Sequence, residues 1–184
     1  MKAAAKPLDR ASWVAAGLAR LRRDGIGAVR IELLARDLDV SKGSFYWHFS
    51  KRSELLTEIL AAWRRSDTTA VIEAVEAGGG GPEDRLWKLF EFIASSNRSL
   101  ERAVRNWAAT DAAAADSLAQ VDRRRLAYLE DLFVAMGFNA ADASARAGLA
   151  YASVVGETAR GTPIALAERL RHHRLLISQI SGPI

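Results

Sequence analysis

Apolar side chains recur every three or four residues along most of this chain, the spacing that collects them on one side of an α-helix. In the first such segment they are Ala11, Val14, Leu18 and Leu21. Asp9 precedes the segment and can cap a helix start, and Gly25 follows it and can end a helix. Strand-like alternation of apolar and polar residues is missing, so we predict an all-α fold.

Glycine, proline and capping residues divide the chain into about nine helices. The long fourth helix begins near Ser50 and ends near Ala77, where four glycines and Pro82 follow. Gly161-Thr162-Pro163 separates the last two helices. After the first helix, the predicted helices cover about residues 31–38, 42–48, 50–77, 83–95, 100–107, 111–136, 140–160 and 163–180.

The two shortest helices are separated only by Asp39-Val40-Ser41, which is typical of a helix-turn-helix. The first of them has a buried side made of Ile31, Leu34, Ala35 and Leu38. Phe45 and Phe49 lie four residues apart in the second, so both should face inward. We expect Val40 to pack into the core and the Ser41 hydroxyl to cap the second helix.

The opposite face of this second short helix carries polar and aromatic residues. They are Lys42, Gly43, Ser44, Tyr46, Trp47 and His48. Tyr, Trp and His beside Lys are a poor composition for simple solvation, but they suit a groove lined by phosphates and base edges. The face therefore predicts contact with double-stranded DNA.

The distribution of charge agrees with a DNA-contacting end. Residues 1–52 contain eleven Lys and Arg against five Asp and Glu, whereas residues 53–184 contain fifteen against seventeen. A basic head on a slightly acidic body is expected when only one end of a protein meets a polyanion. The alternative interpretation of the charge alone is chance variation in a short segment.

The segment from Ile31 to Lys51 resembles the DNA-binding signature of the TetR family of transcriptional regulators. The resemblance rests on Leu34-Ala35, Val40-Ser41-Lys42-Gly43-Ser44, Tyr46, His48-Phe49 and Lys51, with Leu55 after them and no gap in the spacing. It covers roughly the first 55 residues. It implies an N-terminal three-helix DNA-binding domain, residues 1–52, and a helical domain, residues 53–184, that dimerises and binds an effector.

The resemblance also implies roles for individual residues. Lys42, Gly43 and Ser44 would lie near base edges, Tyr46 and His48 near phosphates, and Lys51 near a phosphate at the amide-rich start of the next helix. The family leaves the position of Trp47 variable, and we infer its contact from expected exposure. The complete predicted DNA-binding set is Arg30, Ser41, Lys42, Gly43, Ser44, Tyr46, Trp47, His48 and Lys51.

Two positions depart from the family pattern. Arg30 stands where the family often has a Thr that caps the helix and touches a phosphate, and Arg can reach a phosphate but cannot cap. Asp39 stands where a Gly is common in the turn. Asp tolerates left-handed backbone geometry at some energetic cost, so the turn can still form.

The last two helices are the predicted dimer interface, because two copies are needed to read a near-palindrome. The residues are Ala143, Ala147, Ala150, Val154, Leu166 and Leu170. Their mostly small side chains would let a second copy pack closely in a four-helix bundle. The alternative is that this stripe packs inside one chain.

The middle helices are the predicted site of a small-molecule effector. Candidate residues are Trp87, Phe90, Arg105, Trp107, Tyr128 and Phe133. They combine apolar area with a few polar groups, which is typical of ligand pockets. The alternative is that these aromatic residues belong to the core.

Other chemistry finds little support in the sequence. The chain has no Cys, so disulfides, thiolate catalysis and Cys-based zinc sites are excluded, and we expect no metal, no cofactor and no enzyme activity. Adjacent His172 and His173 point about 100° apart on a helix, so we expect a solvated face there. No apolar run is long enough for a membrane span, and Met1–Pro7 does not resemble a signal peptide, which favours a cytoplasmic protein.

The resemblance, together with these patterns, implies a homodimeric repressor that an unknown small-molecule effector releases from a palindromic operator. Release would follow when the effector moves the helix that starts near Ser50 and changes the separation of the recognition helices. The alternative is a dimeric regulator without such an effector, whose body recruits a protein partner. A helical enzyme is a third possibility, for which the sequence offers no catalytic set.

Overall fold

A computed structural model describes residues 8–161 and 164–182 of the chain. The helices are α1 (Arg10–Asp24), α2 (Ile31–Asp37), α3 (Lys42–Tyr46), α4 (Arg52–Arg64), α5 (Ala70–Ala77), α6 (Pro82–Ser95), α7 (Ser99–Ala108), α8 (Ala112–Ala135), α9 (Ala140–Arg160) and α10 (Leu166–Ile180). A single π-helical turn, Arg65–Thr69, makes α4 and α5 one continuous rod. The described residues thus form nine helical rods without a strand, and the all-α prediction is confirmed.

Two sequence expectations concern residues outside this description. One is that the basic segment 1–7 is not a signal peptide. The other is that Thr162 and Pro163 contribute to the break between the last two helices. Among the described helices, none is both long and apolar enough to cross a membrane.

The predicted helix boundaries around α1 are confirmed. The Asp9 carboxylate accepts a hydrogen bond from the Ser12 amide at 2.8 Å and so caps the helix start. Gly25, with φ of 79°, ends the helix, and its amide donates to the Leu21 carbonyl at 3.0 Å. Later in the chain Lys88 fixes the glycine turn after α5 by donating to the carbonyls of Gly78 and Gly79.

The helix-turn-helix packs on a first core that extends well beyond residue 52. Trp13, Phe45 and Phe49 meet Trp63 of α4 in this core. The same cluster includes Leu100, Val104, Trp107, Ala114 and Val121 from α7 and α8. The first core continues across the predicted domain boundary at residue 52. The division of the chain into two domains at this residue stays a prediction.

A second core lies between α5, α6, the C-terminal half of α8, α9 and α10. It corrects one expectation, since the alanine stripe predicted to face a partner lies inside this core. Ala143, Ala147 and Ala150 are at most 1% exposed and Val154 is 5% exposed. Their small side chains allow close packing of α9 within one chain, which is the alternative that the sequence left open. Leu166 and Leu170 lie on α10, exposed and half-buried respectively.

The expectation of a solvated face at His172 and His173 is wrong for His173. Its side chain is 3% exposed, and its Nδ1 lies 3.1 Å from the Phe90 carbonyl oxygen. Its Nε2 lies 3.3 Å from a carboxylate oxygen of Glu157. The adjacent His172 is exposed, because neighbouring residues on a helix point in different directions. His173 therefore joins α10 to α6 and α9 as an interior polar residue.

The π-helical turn lies where the two cores meet. Trp63, before the turn, belongs to the first core, and Val71, after it, belongs to the second. The amide of Ala70 bonds to the carbonyl of Arg65, five residues earlier, so the rod contains one wide turn. Such turns are often found at functional sites.

Candidate nucleic-acid interface and ligand cavity

The short helix α3 lies on the surface with its predicted outer face exposed. Trp47 is 88% exposed and Tyr46 is 55% exposed, which is unusual for large aromatic side chains without a role in binding. Lys42, Gly43 and Lys51 are exposed as well, while Ser44 and His48 are half-buried. The remaining predicted residues, Arg30 and Ser41, are exposed at the starts of α2 and α3.

An aromatic cluster holds α3 from below. Phe45 and Phe49 are at most 1% exposed, as predicted from their spacing. Their rings stack with centroids 5.2 Å apart, and Trp13 of α1 meets Phe45 edge-on at 5.3 Å. Because these large side chains are fully buried, they fix the direction in which the outer face of α3 points.

Two arginines of α1 brace the helix-turn-helix, and the sequence analysis did not identify them. Arg20 makes a two-pronged pair with Asp37 at the end of α2, with N–O distances of 2.6 and 2.7 Å. Arg10 lies 4.2 Å above the Phe49 ring, donates to the carbonyl of His48 and pairs with Glu54 at 2.9 Å. Both arginines connect residues 17 or more positions apart, so no short-range sequence pattern indicates them.

Lys42, the basic residue at the start of α3, is not free in this structure. Its ammonium group forms an ion pair with Glu32 of α2. The hydrogen bond between them raises the pKa of Lys42 and lowers the pKa of Glu32. Both side chains are more than half exposed, so the pair can exchange readily for another anion.

The turn and helix start differ in two respects from what the sequence indicated. The expected cap by the Ser41 hydroxyl is wrong: among the described residues it makes no hydrogen bond to the start of α3, and only the Ser41 carbonyl accepts from the Ser44 amide. Arg30 donates from Nε to the Gly27 carbonyl at 2.8 Å, which holds its guanidinium against the preceding turn. The expectation for Asp39 is confirmed, since its φ of 55° is left-handed.

At the start of α4, the carboxylate of Glu54 already accepts hydrogen bonds from nearby donors. Glu54 accepts hydrogen bonds from the amide and hydroxyl of Ser50, at 2.9 and 3.0 Å. These bonds, the backbone bond first, and the nearby Arg10 lower the pKa of Glu54. Arg52 turns inward and donates to the Val29 carbonyl at 2.6 Å. Lys51 is therefore the exposed cation of this helix start, with Glu54 beside it.

A cavity of about 50 Å³ lies at the edge of the second core, next to the π-helical turn. Of the residues predicted to bind an effector, Phe90 and Tyr128 line it. Trp107 belongs to the first core, Phe133 is fully buried in the second, and Trp87 and Arg105 also lie outside the cavity wall. The full lining is Asp67, Thr68, Val71, Ile72, Leu89, Phe90, Phe92, Ile93, Arg98, Arg125, Tyr128, Leu129, Tyr151 and Val154.

A buried ion network forms the polar end of this cavity. Glu101 is 1% exposed, and its two carboxylate oxygens accept from Arg125 at 2.9 and 3.0 Å. Arg105 donates to Glu101 at 2.9 Å and to Asp122 at 2.9 Å. Burial acts to raise the pKa of Glu101, but the guanidinium charges outweigh it, so the pKa lies below its usual range.

Arg125 connects this network to the π-helical turn. It donates to the Thr68 hydroxyl at 3.1 Å and to the Asp67 carbonyl at 3.0 Å. The sequence analysis identified neither Arg125 nor Glu101. The four-residue spacing of Glu101 and Arg105 on a largely apolar helix was a usable indication of an ion pair, whereas the contact from Arg125 depends on how α7 and α8 pack.

Three leucines of α9 and α10 are exposed on the outside of the body. Leu149 is 61% exposed, Leu175 57% and Leu166 50%. A side chain at Gly148 or Gly156 would meet no atom within 4 Å, so both glycines open to the same outside. Leu166 and Leu175 are nine residues apart and so point to opposite sides of α10. Leu149 and Leu175, rather than the alanine stripe, are the apolar side chains on the outer side of these two helices that another molecule can reach.

The fold and the exposed helix define an all-helical protein with an N-terminal helix-turn-helix. Residues 14–59 match the family model described as bacterial regulatory proteins, tetR family. The match confirms the predicted resemblance to the TetR-family DNA-binding domain over the N-terminal helices. No curated protein matches the chain in a sequence comparison.

Solved structures with the same fold include several bacterial regulators. A TetR-family transcriptional regulator from Streptomyces coelicolor superposes with a TM-score of 0.80 at 16% identity, over 94% of this chain and 87% of that one. A transcriptional regulator from Rhodococcus sp. gives 0.78 at 21% identity, over 94% and 96%. A regulatory protein of the tetR family from Rhodococcus gives 0.68 at 21% identity, over 93% and 96%. At these identities the likeness establishes the fold.

Proposed function

We propose that the chain is a homodimeric repressor that inserts α3 into the major groove of a palindromic operator and leaves it when a small molecule occupies the body. The observation that carries the DNA-binding part is the outer face of α3. There Tyr46 and Trp47 are held in solvent by the fully buried Phe45 and Phe49 beneath them. Exposed aromatic and basic groups on a braced helix suit base edges and phosphates.

Individual contacts follow from the positions on α3 and the helix after it. Lys42, Gly43 and Ser44 at the start of α3 would approach base edges, and Tyr46 and His48 would reach phosphates. Arg30, Ser41 and Trp47 complete the DNA-facing set. Lys51 would neutralise a phosphate at the start of α4. The negative charge of Glu54 would repel a phosphate at this position. Lys51 would therefore be the main residue that attracts it.

Dimerisation supports this function, because one helix of this length reads few base pairs. The proposed interface is the outer side of α9 and α10 with Leu149 and Leu175, continued by Gly148 and Gly156. Small residues between larger apolar ones let two helices approach closely. Two recognition helices in a twofold dimer would then reach half-sites roughly 34–36 Å apart.

The release step is supported by the position of the cavity. Its wall includes Asp67 and Thr68 of the π-helical turn, and the same rod continues into α4, which packs on the helix-turn-helix. A ligand that displaces this wall would shift α4 and change the separation of the two recognition helices.

A second candidate keeps DNA binding but lacks a small-molecule effector, with the body serving a protein partner. One observation favours it: the cavity encloses about 50 Å³. Pockets for drug-sized ligands hold roughly 300–1,000 Å³. Under the first candidate, the ligand must therefore be small or the cavity must widen when it binds.

The DNA-binding proposal is tested by first selecting bound sequences from a random duplex pool with the full-length chain. Binding to the selected site is then measured by fluorescence anisotropy at several salt concentrations. Tyr46→Ala combined with Lys51→Ala should lower affinity at least tenfold. The Lys51 change alone should reduce the slope of log affinity against log salt by about 0.9 per phosphate contact, or roughly two per dimer.

Arg123→Ala is the matched control, because this exposed arginine lies on α8, far along the chain from α3 and outside the proposed dimer interface. It should leave affinity and salt slope unchanged. Unaltered affinity in the Tyr46 and Lys51 variant, with its helical content intact, would contradict α3 as the DNA-reading element. A selected site without two related half-sites would contradict the dimeric mode of reading.

A further inference from the structure

Arg98, immediately before α7, has the most unused hydrogen-bonding capacity of the polar groups that line the cavity. Its guanidinium can donate five hydrogen bonds. Within the described residues it donates one, from Nε to the Thr158 hydroxyl at 3.4 Å. Its nearest carboxylate oxygen, on Glu101, is 4.0 Å from Nη2, which is beyond hydrogen-bond distance.

The neighbouring acids do not complete this site. Both oxygens of Glu101 are occupied by Arg125, and one of them also by Arg105. Asp67 lines the cavity and attracts Arg98, but its carboxylate is hydrogen-bonded to the Ser66 hydroxyl at 2.7 Å. Burial lowers the pKa of Arg98, and Glu101 offsets this only in part. Arg98 is half-buried, with its side chain 20% exposed. A cation in such a place with so few partners favours the arrival of an anion.

The other polar groups of the cavity are already partnered. The Tyr128 hydroxyl donates to Glu76 at 2.6 Å, and the Tyr151 hydroxyl donates to Asp122 at 2.5 Å. All remaining walls are apolar and include Val71, Ile72, Leu89, Phe90, Phe92, Ile93, Leu129 and Val154. The cavity thus presents Arg98 as its available cationic group, beside polar groups that already have partners and a wall that is otherwise apolar.

We propose that this cavity binds a short-chain monocarboxylate, with the carboxylate paired to the Arg98 guanidinium and the hydrocarbon part among the apolar walls. The inference rests on the proposed function, since it names the ligand class of the effector cavity. A carboxylate fits because its two oxygens match the two-pronged geometry of arginine. A short chain fits because the cavity encloses about 50 Å³.

Calorimetric titration of the full chain with linear monocarboxylates, from acetate to octanoate, tests this inference. Each acid is compared with the primary amide of the same length, which keeps the shape and removes the charge. We expect each acid to bind at least tenfold more tightly than its amide. Affinity should rise roughly fourfold per added methylene until the cavity is filled, and then level off. Equal affinity for acid and amide would overturn the inference.

Substitution of Arg98 gives the second arm. Arg98→Met should abolish the preference for acid over amide, and Arg98→Lys should keep part of it, because lysine retains the charge without the two-pronged geometry. Arg124→Met, at an exposed arginine of α8, is the control and should behave like the wild type. If Arg98→Met does not fold, the inference is tested by the acid and amide affinities of the wild type and of Arg98→Lys. An undiminished acid preference in Arg98→Lys and Arg98→Met would overturn the pairing.

DNA affinity measured in the same samples separates this inference from the proposed function. Carboxylate binding that depends on Arg98 but leaves operator affinity unchanged would support the inference and contradict release by an effector. A chain that binds its operator but none of the carboxylates would overturn the inference and leave DNA-binding regulation intact.

Discussion

In the proposed complex, Glu32 would compete with DNA for Lys42, the first basic residue of α3. In the free protein its carboxylate pairs with Lys42, and both side chains are largely exposed. DNA binding must break this pair before the lysine can meet a base edge or a phosphate. Glu32→Gln should therefore increase operator affinity, by roughly two- to fivefold at low salt, because an exposed pair contributes little and salt screens it further.

Fluorescence anisotropy at two salt concentrations measures this effect, with Glu73→Gln on the exposed side of α5 as the control. The control removes one negative charge at a distance from α3, so it should change affinity less than Glu32→Gln does. An equal gain from both variants would mean that net charge, rather than the release of Lys42, governs the affinity.

Glu101 makes the stability of the chain depend on pH. Its pKa is lowered in the folded protein, so its stabilising effect is complete above the ordinary glutamate value of about 4.3 and is lost as the pH falls through the lower folded value. Glu101→Gln leaves Arg105 and Arg125 without this carboxylate. We expect it to reduce the free energy of unfolding at pH 7 by about 3–5 kcal/mol.

Urea unfolding between pH 7 and 3 measures both consequences. The wild type should lose more stability than Glu101→Gln as the pH falls below about 4.3, since the variant lacks the titrating group. Similar acid sensitivity in the two proteins would show that other carboxylates dominate acid unfolding.

Among the helices, the closest approach between α1 and α4 depends on Gly17. A β-carbon at this position would overlap Cδ1 of Ile59, which is fully buried. Alanine is normally the better helix former by about 1 kcal/mol. Here we expect Gly17→Ala to destabilise the chain by about 1–2 kcal/mol, because overpacking outweighs that gain.

Chemical denaturation of a double-mutant cycle checks this contact. Ile59→Val removes Cδ1, so combining it with Gly17→Ala should cost less than the sum of the two single changes. Strict additivity would indicate that the side chain of Ile59 moves aside without cost.

The elements that the sequence predicts well are those determined by local chemistry. The Asp9 cap, the Gly25 stop and the inward direction of Phe45 and Phe49 depend on residues within one or two turns of each other. The side of α9 that faces inward depends instead on packing against α8, so the small residues at Ala143 and Ala147 fit a partner chain and the chain's own core equally well. Their burial became apparent only from the assembled fold.

The candidate site divides in the same way. An ungapped local motif indicated the exposed residues of α3, whereas the cavity wall combines residues from four helices, the π-helical turn and the residue before α7. Phe90 and Tyr128 were predicted as large aromatic residues of the middle helices. Arg98 and Arg125 were missed, because an arginine that lies near helix ends or among polar neighbours in sequence gives no indication that it will be buried.

For the whole molecule, dimerisation through α9 and α10 makes a direct prediction. Leu149→Glu places a charge in the proposed interface without disturbing the monomer core, since the side chain is 61% exposed. We expect a monomer in light-scattering experiments, unchanged helical circular dichroism and a large loss of operator affinity.

Val134→Glu is the matched control, because Val134 is 52% exposed on α8. It should remain dimeric and bind the operator normally. A dimeric Leu149→Glu protein would mean that two copies associate through another surface.

The π-helical turn at Arg65–Thr69 determines how the side chains of α5 are rotated about the helix axis relative to those of α4. An α-helix advances about 100° per residue, so a single extra residue turns everything beyond it by that angle. Because the wide turn contains this extra residue, Trp63 points into the first core while Val71 and Val75 point into the second. Loss of one residue here would keep the helix unbroken yet aim its far half away from α6. The length of this segment is therefore constrained more strictly than the identity of its exposed side chains.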